Sequence, residues 1–371
     1  MNKRKTLFAL ALFACLMLLG PARAAAQQGR PPQPDMTVDA AARQEVIENL
    51  IKRLNDAYVF PDTAAKMEQA IRARAARGEY EQISSAAQFA EKLTADLREV
   101  SHDKHLGVRY SARPVPQDLD PKEPSAEQRE QMRLMGEHIN YAFEKVGRMP
   151  GNIGYLAFNG FFTPDAGAAE TVASAFNFLA HTDSLIIDLR QNGGGDPKMV
   201  ALVCSYLFGA EPVHLNDLHW RQGKGERVEE FWTLKDVAGK RYTKDVYVLT
   251  SGRTFSGAEE FANNLKTLKR ATVVGETTGG GANPGGGNRL SEHFAAFIPT
   301  GRAVNPVTKT NWEGTGVEPD VKVSADSALQ AAQIIALRKM AGQTTDEGTK
   351  GDIQRRIDAL QKEIGDSQGK K

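Results

Sequence analysis

Apolar side chains recur at helical spacing from Asp39 to Val100: Val46, Leu50 and Leu54, then Met67 and Ile71, then Phe89, Leu93 and Leu97. A repeat of about three to four residues places one apolar stripe on each segment. Pro61 and Gly78 interrupt the stripe, so the pattern predicts three short helices forming a small N-terminal helical domain over 39–110. From His105 to Tyr110 apolar and polar residues alternate as in a strand. Pro114, Pro116, Pro121 and Pro124 then mark an extended linker, and a polar helix is expected over Ala126 to Val146, within a linker-and-helix segment 111–150.

From Gly151 the period changes. Ile153–Phe158 and Leu185–Leu189 are apolar, β-rich runs separated by a helical stretch, Ala166–Leu179; Val246–Thr250 and Ala271–Val274 bracket a helix over Ser256–Leu268. Buried strands joined by helical crossovers predict an α/β domain over 151–325. Trp220, Phe231 and Trp232 fall in alternating segments that read as an additional hairpin. Helical stretches over Ser327–Ala341 and Asp352–Ile364 close the chain in a segment 326–371, the second amphipathic and heavily charged, as expected of a solvated surface helix.

The first residues carry a different signal. Lys3, Arg4 and Lys5 precede an apolar run from Leu7 to Leu19, and Ala22-Arg23-Ala24 and Ala24-Ala25-Ala26 offer small-residue cleavage sites. Residues 1–26 therefore read as an export signal, followed by a leader over 27–38. The run is short for a membrane span, and Cys15 lies too deep inside it to be favoured as a lipidation site. A mature chain in the periplasm or outside the cell, without a membrane span, is the expectation. Removal of the signal leaves Cys204 alone, in the apolar run Met199–Leu207, where a buried structural thiol is expected. With 47 basic and 46 acidic side chains, the net charge of +1 has neither the basic excess of a nucleic-acid binder nor an acidic surplus.

Candidate chemistry centres on Ser256. A strand ends at Thr250, Ser251–Phe255 form a polar turn, and Ser256 opens an apolar-periodic helix with Glu259 three residues on. Those residues fit a helix N-cap with its capping box. They equally fit a nucleophile, because the positive end of a helix and its neighbouring N–H groups stabilise an oxyanion formed there. The G-x-S-x-G elbow is excluded by Thr254. Gly193-Gly194-Gly195 follow the strand Leu185–Leu189, and bare glycine amides at a strand end approach a ligand closely, as in an oxyanion hole or in a plain tight turn. Lys198 stands at the third glycine of a dinucleotide fingerprint, and Gly279–Gly287 lacks the ending of a phosphate loop and reads as a flexible loop. His102 and His105 form an H-x-x-H pair without further spaced ligands, so neither a metal nor a cofactor is expected.

Four motifs occur in order: Asp188-Leu-Arg190-Gln-Asn-Gly193-Gly194, Thr254-Phe-Ser256-Gly-Ala-Glu259, Arg270-Ala-Thr-Val-Val-Gly275-Glu276-Thr-Thr, and Gly314-Thr-Gly316-Val317-Glu-Pro319-Asp320. Their order and spacing resemble those of the tail-specific, or C-terminal processing, serine peptidases. Tyr58-Val-Phe-Pro61 and Asp103-Lys-His105-Leu are similar to the branch that includes interphotoreceptor retinoid-binding protein repeats and the tricorn-type members. The resemblance covers Asp39 to Val323. It implies a crotonase-like α/β core, with Ser256 as nucleophile and oxyanion donors from the amides of Gly257 and of Gly193 or Gly194. Members with a Ser/Lys dyad carry their lysine in a segment resembling Gly275–Ala282, where this chain has Gly281. A base must come from elsewhere, since a serine hydroxyl needs its proton taken during attack. His105 matches the histidine of the tricorn-type members and titrates near neutral pH in its ordinary state, with His102 and His293 as rivals. Glu313 matches the acidic residue that completes their charge network.

The resemblance thus implies a serine endopeptidase acting on short or partly unfolded peptides through an acyl-enzyme. The chain leaves no room for a PDZ domain between helical part and core, and nothing in the residues decides whether it oligomerises. The alternative from another class is a non-catalytic module for a hydrophobic ligand, as in the retinoid-binding relatives. A third reading, a scaffold docking through its charged C-terminal helix, has that helix alone behind it. Asp188 and Arg190 are expected to be structural, each satisfying the other or the glycine loop.

Overall fold

The computed structural model describes residues 33–117, 119 and 125–368. The export-signal reading of 1–26, the lipidation reading of Cys15, the first half of the leader, and Pro121 and Pro124 lie outside the described residues. Among the described residues no helix is long and apolar enough to cross a membrane.

Three helices come first: α1 (Ala40–Ala57), α2 (Pro61–Ala76) and α3 (Ala86–Ser101). Asp39 and Ser85 cap α1 and α3 by accepting from Ala42 N–H and Gln88 N–H, and Pro61 starts α2 where its missing N–H carries no penalty. After β1 (Gly107–Tyr110) and α4 (Ala126–His138) come β2 (Phe143–Met149), β3 (Ile153–Phe158), α5 (Ala166–Leu179), β4 (Ser184–Asp188) and α6 (Pro197–Ser205). The hairpin β5 (His214–Gln222) and β6 (Gly225–Trp232) leads to β7 (Asp245–Thr250), α7 (Gly257–Thr267) and β8 (Thr272–Gly275). The chain continues through β9 (Gly285–Arg289), β10 (Phe294–Pro299), β11 (Gly301–Val304) and β12 (Val321–Lys322), and closes with α8 (Ala328–Gln343) and α9 (Glu347–Gln368).

These elements form two compact units, each drawn from separated stretches of chain. Among the described residues the first comprises 33–117, 119, 125–131, Asp217–Glu229 and Gly281–Val304; the second comprises Met132–Asn216, Glu230–Gly280 and 305–368. In the first unit the apolar stripes of α1 to α3 meet Leu290, Phe294, Ala296 and Ile298, so the helices close their core on the antiparallel sheet β1-β10-β9. The part of β5 that belongs to this unit pairs antiparallel with β11, Gly301 opposite Trp220.

The second unit is built on a six-stranded sheet in the order β12-β8-β7-β4-β3-β2, parallel except for β2. Ile186, Tyr247, Leu249 and Val274 face a core shared with Ala332 and Leu337 of α8 and Ile353, Ile357 and Leu360 of α9. Leu185, Ile187, Val246 and Val248, which alternate with them, are buried on the other face. Burial on both faces explains why β4 and β7 read as unbroken apolar runs. It also revises the reading of the last helix: α9 is charged on one side and contributes a buried stripe to the core on the other.

Two further expectations are corrected. The helix expected through Val146 stops at His138, and Phe143–Met149 form β2 instead, paired antiparallel with β3. Asn140, Tyr141 and Ala142 in between all have left-handed backbones, φ 49, 51 and 66, which no right-handed helix can traverse. Part of the glycine-rich stretch read as a loop is strand β9, paired with β10. A Cβ at Gly285 would lie 2.1 Å from the Ile298 carbonyl oxygen, so the bare glycine is what lets the strands approach.

Candidate active site

Three connections leave the carboxyl ends of β3, β4 and β7, the end of a parallel sheet where ligands bind. They are Asn159–Phe161, Leu189–Asp196 and Ser251–Ser256, all in the second unit. Asn192, fully buried, knots them together. Its Nδ2 donates to the Phe158 carbonyl at 2.9 Å, its carbonyl accepts the Phe255 N–H at 3.1 Å, and its Oδ1 accepts the Gly194 N–H at 2.9 Å. Ser251 Oγ and Thr254 Oγ1 add bonds to the Arg190 and Leu189 carbonyls, at 2.7 and 2.8 Å.

Ser256 sits at the N-cap of α7 with φ 54 and ψ −123, a conformation that side-chain-bearing residues rarely adopt. Its N–H donates to Glu259 Oε2 at 2.8 Å. The other oxygen of that buried carboxylate accepts from Thr278 Oγ1 at 2.5 Å and from the Gly280 N–H at 2.6 Å. Thr278 Oγ1 in turn accepts the Val317 N–H at 2.7 Å, and the Gly314 N–H reaches the Gly280 carbonyl at 3.1 Å. Half-buried Glu313 stands beside Gly314 in this segment, with its own N–H donated to Asn311 Oδ1 at 3.0 Å.

The glycine loop lies directly against the Ser256 turn. A Cβ on Gly194 would stand 2.7 Å from the Gly257 nitrogen and 2.8 Å from Ser256 Cβ, and one on Gly257 would stand 3.1 Å from the Gly195 nitrogen. Of the expected oxyanion donors, the Gly257 amide has no acceptor among the described residues, the Gly193 amide makes one long bond of 3.4 Å to the Asn159 carbonyl, and the Gly194 amide is engaged by Asn192.

Asp188 and Arg190 form a two-pronged pair, Nε to Oδ1 at 2.9 Å and Nη2 to Oδ2 at 2.6 Å, which Tyr155 Oη and the Ala325 carbonyl extend. Cys204 is fully buried and its thiol is held well above the ordinary range by burial, as a structural cysteine should be. Glu260, one residue past the clamp, is pushed up to about 8, first by burial and then by Asp196, with Asn216 pulling the other way.

The three candidate histidines all belong to the first unit. His102 is exposed at the end of α3, in a left-handed cap position. His293 has Nδ1 2.9 Å from the Ser111 carbonyl. His105 is buried, and burial followed by the positive charge of Arg98 lowers it to about 3, so the ring is neutral. Asp103 Oδ1 accepts the His105 N–H at 2.9 Å and lies 4.0 Å from Nδ1 of its ring. The roles of Asp103 and Arg98 around His105 escaped the sequence reading, and so did the hub role of Asn192. The one available signal was Asp103, a carboxylate two positions before a candidate base.

Residues 152–323 match the model of peptidase family S41, and residues 39–145 match that of the N-terminal domain of peptidase S41 in eukaryotic IRBP. The chain belongs to peptidase family S41. It is similar to the tail-specific protease of Haemophilus influenzae, 28% identical over 155 residues, a match covering 41% of this chain and only 20% of that relative's length. Among solved structures, a candidate peptidase from Parabacteroides merdae is 18% identical with a TM-score of 0.55 over 80% of this chain and 96% of its own. A lipoprotein from Streptococcus agalactiae is 16% identical with a TM-score of 0.54 over 78% and 94%. These two likenesses are of fold, a mixed α/β core with an N-terminal helical region.

Proposed function

We propose that the second unit is the crotonase-like core of an exported serine endopeptidase, with Ser256 as nucleophile and His105 as general base. The observation that carries the reading is the backbone of Ser256, held at φ 54 and ψ −123 at the start of α7 against a glycine loop. Strain of this kind is retained where the surroundings enforce it, and it places a hydroxyl at the positive end of a helix.

Ser256 Oγ attacks the carbonyl carbon of an extended peptide while the neutral imidazole of His105 takes the hydroxyl proton. Glu313 orients and polarises that imidazole. The oxyanion is met by the amide of Gly257 and by that of Gly193 or Gly194. Gly193 is the more available of the pair, since only a 3.4 Å bond must be released. His105 then protonates the leaving amine, giving an acyl-enzyme that water hydrolyses by the reverse route. Short or partly unfolded polypeptides in the periplasm or outside the cell are the substrates, bound by backbone hydrogen bonds at a strand edge.

Labelling of the purified chain with a fluorophosphonate tests this. Wild type should label at Ser256, Ser256→Ala should not label, and His105→Ala should slow labelling on the order of a hundredfold or more. Absence of labelling in the wild type, together with saturable binding of a hydrophobic fluorophore, overturns the enzyme in favour of a ligand-binding module.

A further inference from the structure

The loop that carries His105 is gripped at its backbone from both sides. Arg98, on the last turn of α3, donates Nε to the Leu106 carbonyl at 2.8 Å and Nη2 to the Lys104 carbonyl at 2.7 Å, the peptides flanking His105. Asp103 takes the intervening N–H of His105 at 2.9 Å. The remaining oxygen of Asp103 is itself fixed, by Nδ2 of Asn283 at 2.9 Å and the hydroxyl of Tyr58 at 3.1 Å. All of these residues belong to the first unit. Ordinary loop closure does not need an ionised arginine and a carboxylate 99% buried, both spent on three consecutive residues.

We infer that Asp103 and Arg98 are positioning residues for His105, which fix the place of its imidazole through the backbone on either side of it. The inference rests on the reading of His105 as the base. After burial, the guanidinium of Arg98 lowers the proton affinity of the ring, while burial raises Asp103 against the bonds from Asn283, the His105 N–H and Tyr58. Among the described residues of the first unit, exposed Lys104 lies in the same loop, the uncharged Phe297 ring of β10 stands beside the imidazole, and the Tyr58 phenol after α1 donates to Asp103; Glu313, of the second unit, acts on the ring in the proposed triad.

The test is the pH dependence of fluorophosphonate labelling of the full chain. Arg98→Met should move the acid-side midpoint to higher pH, because the charge opposing the imidazolium is gone. Arg98→Lys keeps that charge but loses the fork that holds two carbonyls, so its midpoint should stay near wild type while the plateau rate falls. Asp103→Asn, which keeps only one of the two acceptor oxygens, should reduce the plateau on the order of a hundredfold, the effect of a misplaced base. An unchanged midpoint in Arg98→Met, or unchanged plateaus in both Arg98→Lys and Asp103→Asn, overturns the inference. If Asp103→Asn does not fold, comparison of Arg98→Met with Arg98→Lys decides alone, equal midpoints overturning it. Wild-type labelling by His105→Ala would instead remove the base assignment itself, a separate outcome.

Discussion

The backbone N–H of Ser256 is held by the side chain of Glu259, 2.8 Å away, and the second oxygen of that carboxylate reaches Thr278 and Gly280. One buried anion therefore ties the start of α7 to the segment after β8, and through Thr278 to Val317. Glu259→Ala leaves two buried donors and the half-buried Ser256 N–H without that acceptor, at about 1–3 kcal/mol for each buried one. It should lower the urea midpoint markedly and abolish labelling of Ser256. Glu259→Gln, which has one acceptor oxygen, should fall between Ala and wild type; a Gln variant as stable as wild type would show that the clamp does not need its charge.

The backbone of Ser256 makes a separate prediction. Glycine adopts positive φ without steric conflict, so Ser256→Gly should relieve strain and stabilise the protein by about 1 kcal/mol, while removing the hydroxyl. Ser256→Ala removes the hydroxyl and keeps the strain. Chemical denaturation should rank the glycine variant above the alanine one; the reverse order would mean that the conformation is not strained here.

Gly194 allows a sharper test of the site's packing. Its φ of 101 and the 2.7 Å approach to the Gly257 nitrogen leave no space for a methyl group. Gly194→Ala should cut labelling at least on the order of a hundredfold, the usual loss when an oxyanion donor is disturbed. Gly209→Ala, where an added methyl meets nothing within 4 Å, is the control and should label as wild type does.

Burial makes Glu260 a pH-dependent element of stability. Its folded value, near 8, lies above its ordinary 4.5, so the native state holds the proton more tightly. The stabilisation is complete below pH 4.5 and is lost as pH rises toward 8. His105, lowered to about 3 from 6.5, acts the other way, adding stability as pH rises between those values. Above pH 6.5 Glu260 acts without that opposition. Wild type should lose stability between pH 6.5 and 8, and Glu260→Gln should stay flatter in denaturant titrations over that range. Parallel pH curves for the two proteins would show that Glu260 is ionised in the fold.

Local periodicity and turn chemistry encode part of this protein outright. The stripes of α1 to α3, the doubly buried runs of β4 and β7, and the Ser256 turn opening α7 were legible because each is set by residues within a few positions of one another. The tertiary structure decided the rest. Strands β2 and β9 exist because β3 and β10 offer them partners, and a ladder bond depends on the neighbouring strand rather than on local spacing. Likewise Leu290, Phe294 and Ile298 complete the core of helices that lie far earlier in the chain. The pairing of Asn192 with Phe158, of Glu259 with Gly280, and of Asp103 with Asn283 could not be read in advance. A buried polar group takes whichever partner folding brings within about 3 Å, and sequence spacing says nothing about that distance.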